Sequence, residues 1–167
     1  MGADLYIRSI YDKKRQELKP AMDQLDEQIK AETDDEKKLA LREKLMALYE
    51  QLDTCGGYFR DSYNPTSLFW AIGLSWWKDV VPMCDEQGNL QPEEVRRLLH
   101  MIQDDSRMIP EEPEKLKAFL LAKRCQVDDE GENSPEGWLT YLNEKSDRLQ
   151  AFLRKAYELQ EPIYCSL

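Results

Sequence analysis

The sequence predicts a mainly α protein, a helical bundle formed by residues 1–167 as one domain around a central Trp-rich helix. Three observations predict it. Apolar residues recur every three or four positions along most of the chain, the period of an amphipathic helix. Residues 58–82 concentrate three of the four Trp, two of the four Phe and two of the eight Tyr. Only the two ends, residues 3–11 and 162–167, carry the β-branched and aromatic density of strands. A lone strand leaves backbone donors unpaired, so the N-terminal strand is expected to pair with the C-terminal segment.

Within residues 3–11, Leu5, Ile7 and Ser9 fall on one strand face, and Tyr6, Arg8 and Ile10 on the other. A helix is expected from near Asp12 to residue 31, with the stripe Leu18, Met22, Leu25 and Ile29. Pro20 should kink it or move its start to about residue 19. Thr33 or Asp34 can cap the next helix, which carries Leu41, Leu45, Leu48 and Leu52. Two such helices on a short link read as a hairpin. Gly56 and Gly57 end it.

Asn64-Pro65 predicts the start of the central helix, with Asn64 as N-cap and Pro65 at the first helical position. Leu68, Phe69, Ile72, Trp76 and Val80 follow at helical spacing, and Trp70, Leu74 and Trp77 widen the face. A helix apolar nearly all round is expected to be buried on several sides. Gly73 in its middle suggests close approach of another element, and Pro82 ends it. Residues 83–94 faintly echo a calcium loop, but Met83 stands where the first acid is needed. A Gly-Asn turn into a helix opened by Pro92 is the better reading. Further helices are expected at 92–106, 113–124 and 135–160, the last capped by Ser134. The acidic loop 127–133 reads as solvated surface.

The net charge of −10 argues against nonspecific nucleic-acid binding, which relies on cations neutralising phosphate. It suits solubility and is compatible with a basic partner. The aromatic run carries Lys78 and Asp79 and is too short to span a bilayer, so no membrane association is expected. With no secretory leader pattern, a cytoplasmic location is expected. Cys55, Cys84, Cys125 and Cys165 are scattered without a C-x-x-C pair and read as ordinary thiols, and no metal site or cofactor is expected. His100 is the only histidine and has no ligand or triad partner at useful spacing.

One polar cluster remains. Arg60 can fork onto a carboxylate or phosphate, Asp61 and Tyr63 can orient a ligand or move a proton, and Asn64 opens a helix whose first N–H groups attract anions. The competing reading is local: Arg60 pairs with an acid, Asn64 caps, and Tyr63 packs on the indoles.

The opening Met-Gly-Ala-Asp-Leu-Tyr-Ile, with Phe-Arg-Asp-Ser-Tyr-Asn-Pro-Thr-Ser-Leu-Phe-Trp further on, resembles small bacterial and bacteriophage proteins of uncharacterised function. Those begin Met-Gly-x-Asp and carry an Arg-x-Tyr-x-Leu-Phe-type element. Here the Arg60–Tyr63 spacing is stretched, and no His follows Asp4. The resemblance implies that Asp4, Arg60 and Tyr63 converge on one pocket. It implies no activity. Two functions are therefore expected to compete. One is a non-enzymatic, acidic interaction protein, a phage accessory or inhibitor type that binds a protein partner. The other is a small-molecule or phosphoester-binding enzyme with its site at Asp4, Arg60, Asp61 and Tyr63, with Asn64 beside them.

Overall fold

The computed structural model describes residues 2–167. The chain is mainly helical with a small four-stranded antiparallel sheet. Its contacts divide it into two compact units. The smaller unit is Tyr6–Tyr58, and the larger joins the first strand as far as Leu5 to Phe59–Leu167.

The smaller unit is a hairpin of α1 (Arg8–Ala31) and α2 (Asp35–Asp53). The predicted seam is present. Leu18, Met22, Leu25 and Ile29 are half-buried, as are Leu41, Leu45 and Leu48, while Leu52 is buried. Asp34 is the cap of α2, accepting from the Lys37 backbone N–H at 3.0 Å. Two expectations are corrected. The strand does not reach residue 11, because α1 starts at Arg8 rather than near Asp12, straight after Ile7 donates its backbone N–H to the Gly57 carbonyl at 2.9 Å. Pro20 neither starts nor ends the helix. A proline inside a helix costs about 3 kcal/mol, and seam residues on both sides of it hold the turns together. At Gly57 a Cβ would lie 2.7 Å from the Tyr11 backbone nitrogen, so only glycine fits there.

The larger unit carries the sheet, in order β2-β1-β4-β3, of β1 (Gly2–Tyr6), β2 (Tyr58–Ser62), β3 (Asn89–Leu90) and β4 (Ile163–Ser166). β3 and β4 run antiparallel, with Asn89 opposite Tyr164 and Leu90 opposite Ile163. Strand β2 was not expected. Its residues alternate, Phe59 and Asp61 buried and Arg60 exposed, but a five-residue strand within an aromatic run has no clear sequence period. Helices α4 (Pro92–Ser106), α5 (Pro113–Ala122) and α6 (Pro135–Leu159) follow the predicted spans within two residues. Helix α4 packs along α6, with Val95, Leu98, Leu99 and Ile102 buried on one side and Leu142, Leu149 and Leu153 on the other. Ser134 caps α6 through the Gly137 N–H at 3.1 Å.

The single Trp-rich helix is replaced by three short pieces. Helix α3 covers only Leu68–Ile72; a π-helical turn follows at Trp76–Val80 and a 3₁₀ turn at Val81–Met83. Asn64 does not cap α3. Its side chain accepts from the Thr66 backbone and hydroxyl at 3.1 and 2.6 Å, and Ser67 is the cap, accepting from the Trp70 N–H at 3.3 Å. Gly73 ends α3 in the left-handed region at φ +83°. The reason is tertiary. Phe69 and Trp76 stack with ring centroids 3.7 Å apart at 18°. On an unbroken helix, seven residues would separate them by about 10 Å of rise. The chain must therefore turn back at Gly73 to bring the rings together.

Gly73→Ala places a Cβ in the left-handed region and 2.6 Å from the Lys123 ammonium. We expect a loss of about 1–2 kcal/mol in urea unfolding. An unchanged midpoint would mean that this break does not depend on glycine.

Candidate functional site

The strand pleat sorts the predicted site residues before any chemistry begins. Successive side chains of β2 point to opposite faces, so Arg60 and Asp61 cannot share one pocket. Arg60 lies on the outer face with Asp4 of the neighbouring strand, Nε 3.7 Å from a carboxylate oxygen. Asp61 lies inward and is only 2% exposed.

Asp61 is fully engaged. One oxygen accepts from the Leu68 N–H at 3.3 Å; the other accepts from the Phe69 N–H at 3.1 Å and the Trp76 indole N–H at 3.4 Å. Lys145 and Tyr141 of α6 stand close enough to act on its charge. Burial raises the Asp61 carboxyl, and the N–H donors and Lys145 only partly offset it. Burial lowers Lys145 despite the nearby carboxylate, and burial together with Asp61 raises Tyr141. Desolvation outweighs pairing for both charges, which is the usual balance for buried ions. The Lys145 ammonium also lies 5.1 Å from the Phe59 ring centroid. This cluster fastens β2 to α3 and to the turn at Trp76.

Tyr63 packs on an indole. Its ring lies 5.8 Å from Trp77, and its hydroxyl is buried with no hydrogen-bond partner. Burial, and then the Asp4 charge, raises its pKa. It lines a groove of 510 Å³ together with Trp70, Gly73, Trp77, Lys78 and Lys123. Trp70 is 39% and Trp77 57% exposed, against the expectation that the indoles are buried. The Trp70 indole N–H donates to the Lys123 carbonyl at 2.7 Å, which fixes that ring at the rim. Among the described residues that line the groove the charged ones are Lys78 and Lys123, and the Asp79 carboxylate accepts from the N–H of Ser75, another lining residue, at 2.7 Å. A larger cleft of 640 Å³, beside the start of α6, includes Glu132 and Glu144, but its Trp138 is buried and bonded to the Gln126 carbonyl.

No family model, curated protein or solved structure matches the chain. Its function has to be read from its own geometry. Among the described residues no group of three or more His, Cys, Asp or Glu is arranged to hold a metal, and no helix is long and apolar enough to cross a membrane.

Of the five predicted residues, Asp61 lies in the interior and Asn64 in a turn, whereas Asp4 pairs with Arg60 on the outer sheet face and stands near enough to Tyr63, in the groove, for its charge to act on the tyrosine hydroxyl. Sequence reading missed Tyr141, Lys145 and Lys123. One signal was present. Trp138, Tyr141, Lys145, Leu149 and Phe152 step by three, four, four and three along α6, and a lysine inside an apolar stripe calls for a buried partner.

Asp61→Ala strands two backbone donors, an indole and an ammonium, and should cost about 3–5 kcal/mol in denaturant unfolding. The pH dependence has a definite sign. The folded carboxyl binds its proton more tightly than the unfolded one, so the advantage of wild type over Asp61→Ala is full below the ordinary carboxylate value and shrinks as pH rises through the raised folded value. A gap that widens over that range would contradict the assignment.

Proposed function

We propose that the protein is a non-enzymatic interaction protein whose docking surface is the groove of Tyr63, Trp70 and Trp77. The observation that supports this reading is the pair of exposed indoles, 39% and 57%, on the wall of a groove whose charged lining residues are Lys78 and Lys123. Large aromatic side chains held rigidly at a surface are the usual anchors of protein interfaces. Exposed aromatic area gains from being covered, and two ammonium groups select carboxylate at contact distance. The segment seated there is therefore an apolar or aromatic side chain flanked by an acid. At longer range the net charge of −10 speeds encounters with a basic surface, so the partner is a basic protein presenting such a segment. The resemblance to bacterial and phage proteins fits an accessory or inhibitor role of this type.

The enzyme reading has less support. Asp61 is buried and bonded three times, and Asp4 pairs with Arg60 outside the groove. Neither is placed to move a proton on a substrate.

Intrinsic fluorescence tests the proposal. Acidic peptides containing Trp, Phe or Leu should shift or quench the emission of the exposed indoles at micromolar to millimolar concentrations. Trp77→Ala should weaken that binding by about 30-fold or more. Because Trp77 is exposed, the same change should move stability by no more than about 0.5 kcal/mol. Equal affinity in Trp77→Ala, or a response only to basic peptides, would count against the groove as the docking surface.

A further inference from the structure

The 640 Å³ cleft beside the start of α6 is separate from the groove and has the size of a small-ligand cavity. Trp138, Tyr141 and Glu144 step by three along α6 and so follow one another on one face of it. The Trp138 and Tyr141 rings meet edge to face, with centroids 5.7 Å apart at 84°. Glu132 comes from the loop ahead of the helix. That loop rests directly on the first turn of α6. A Cβ at Gly137 would lie 2.5 Å from the Glu132 carbonyl oxygen, so glycine permits the approach. The Asp128 N–H donates to the Asn133 carbonyl at 3.0 Å, and the Asn133 amide donates to the Asp128 carboxylate at 3.0 Å, which closes the loop on itself.

The polar groups of the lining divide by type. Donors are spent within the protein. The Thr66 hydroxyl donates to the Asn64 side chain at 2.6 Å, the Thr140 hydroxyl to the Glu136 carbonyl at 3.1 Å, and the Trp138 indole to the Gln126 carbonyl at 2.9 Å. The Gly137 N–H in the first turn of α6 is answered by Ser134. The carboxylates are unspent: among the described residues neither Glu132 nor Glu144 has a hydrogen-bond or ion-pair partner. Among the described lining residues there is no Lys, Arg or His. Lys145, next to Glu144 in sequence, turns inward and sets its ammonium 5.1 Å from the Phe59 ring centroid. Two carboxylates with no third His, Cys, Asp or Glu beside them do not make a metal site. The cleft therefore offers negative charge and aromatic surface to a ligand that brings its own donors.

We infer that this cleft binds an organic cation of the alkylammonium or guanidinium class, its charged head on Glu132 and Glu144 and its alkyl stem against Trp138 and Tyr141. The head makes charge-assisted hydrogen bonds to the carboxylates. The stem covers ring surface, and the ring quadrupoles attract a cation. The field of a chain with net charge −10 draws such a ligand in. A free diamine and the Lys or Arg side chain of a polypeptide share this chemistry.

The full chain titrated with putrescine, agmatine or a blocked Ala-Lys-Ala peptide at constant ionic strength, and followed by NMR at the assigned Trp138 indole N–H, tests this directly. We expect a saturable shift of that signal with these cations and none with butanediol. Tighter binding of the free amines assigns a small-molecule ligand, and tighter binding of the peptide assigns a partner's side chain. Glu132→Gln and Glu144→Gln should each weaken binding about two- to fivefold, and the double variant should abolish saturation. Both residues are exposed, so the single variants should keep the wild-type Tm. No saturable shift at Trp138, an equal shift with butanediol or with magnesium chloride, or wild-type affinity in the single and double variants would each overturn the inference. The groove is read out at Trp77, so either site can fail without the other.

Discussion

The larger unit depends on one buried carboxylate. Asp61 supplies two oxygens to three N–H donors drawn from α3 and from the π-helical turn beyond it. Without it, the first turn of α3 would bury unsatisfied amides and the Trp76 indole would lose its acceptor, each at a cost of about 1–3 kcal/mol. With it, β2, α3 and the turn at Trp76 are held in one arrangement, and Gly73 provides the reversal that lets them meet. Burying a carboxylate is itself unfavourable, and the raised Asp61 together with the lowered Lys145 show that pairing only partly offsets that penalty. The carboxylate gathers donors from α3 and from the turn at Trp76 onto one point.

That same geometry shapes the surface. Turning the chain at Gly73 stacks Phe69 on Trp76 inside and leaves Trp70 and Trp77 outside. The exposed indoles therefore result from the buried ones being satisfied first. Lys123, held over Gly73, and Lys78 line the groove beside them, and Asp105 lies near enough to Lys123 to feel its charge.

Amphipathic helices with a single apolar stripe were legible in the sequence. Leu41, Leu45, Leu48 and Leu52 in α2, and Val95, Leu98, Leu99 and Ile102 in α4, have a period that only a helix satisfies. Caps with one strong acceptor at the right place, such as Asp34 and Ser134, were legible too. The aromatic segment was not. Apolar residues there occur at nearly every position, so the pattern fits a helix, a strand or a turn, and Asn64-Pro65 offered a local start signal that Ser67 and Asp61 outcompete. Of the site cluster, residue type alone suggests that Arg60 pairs with an acid and that Tyr63 packs on an indole, whereas the choice of Asp4 over Asp61 follows from a strand that periodicity did not reveal.

By itself the sequence determined the helical class, the hairpin, the amphipathic faces and the acidic surface, since these depend on interactions between residues a few positions apart. Tertiary structure alone decided where the aromatic segment breaks, which indoles face water, and that Asp61 meets Lys145 and Tyr141. Those outcomes rest on contacts between residues tens of positions apart, whose energies no local pattern records.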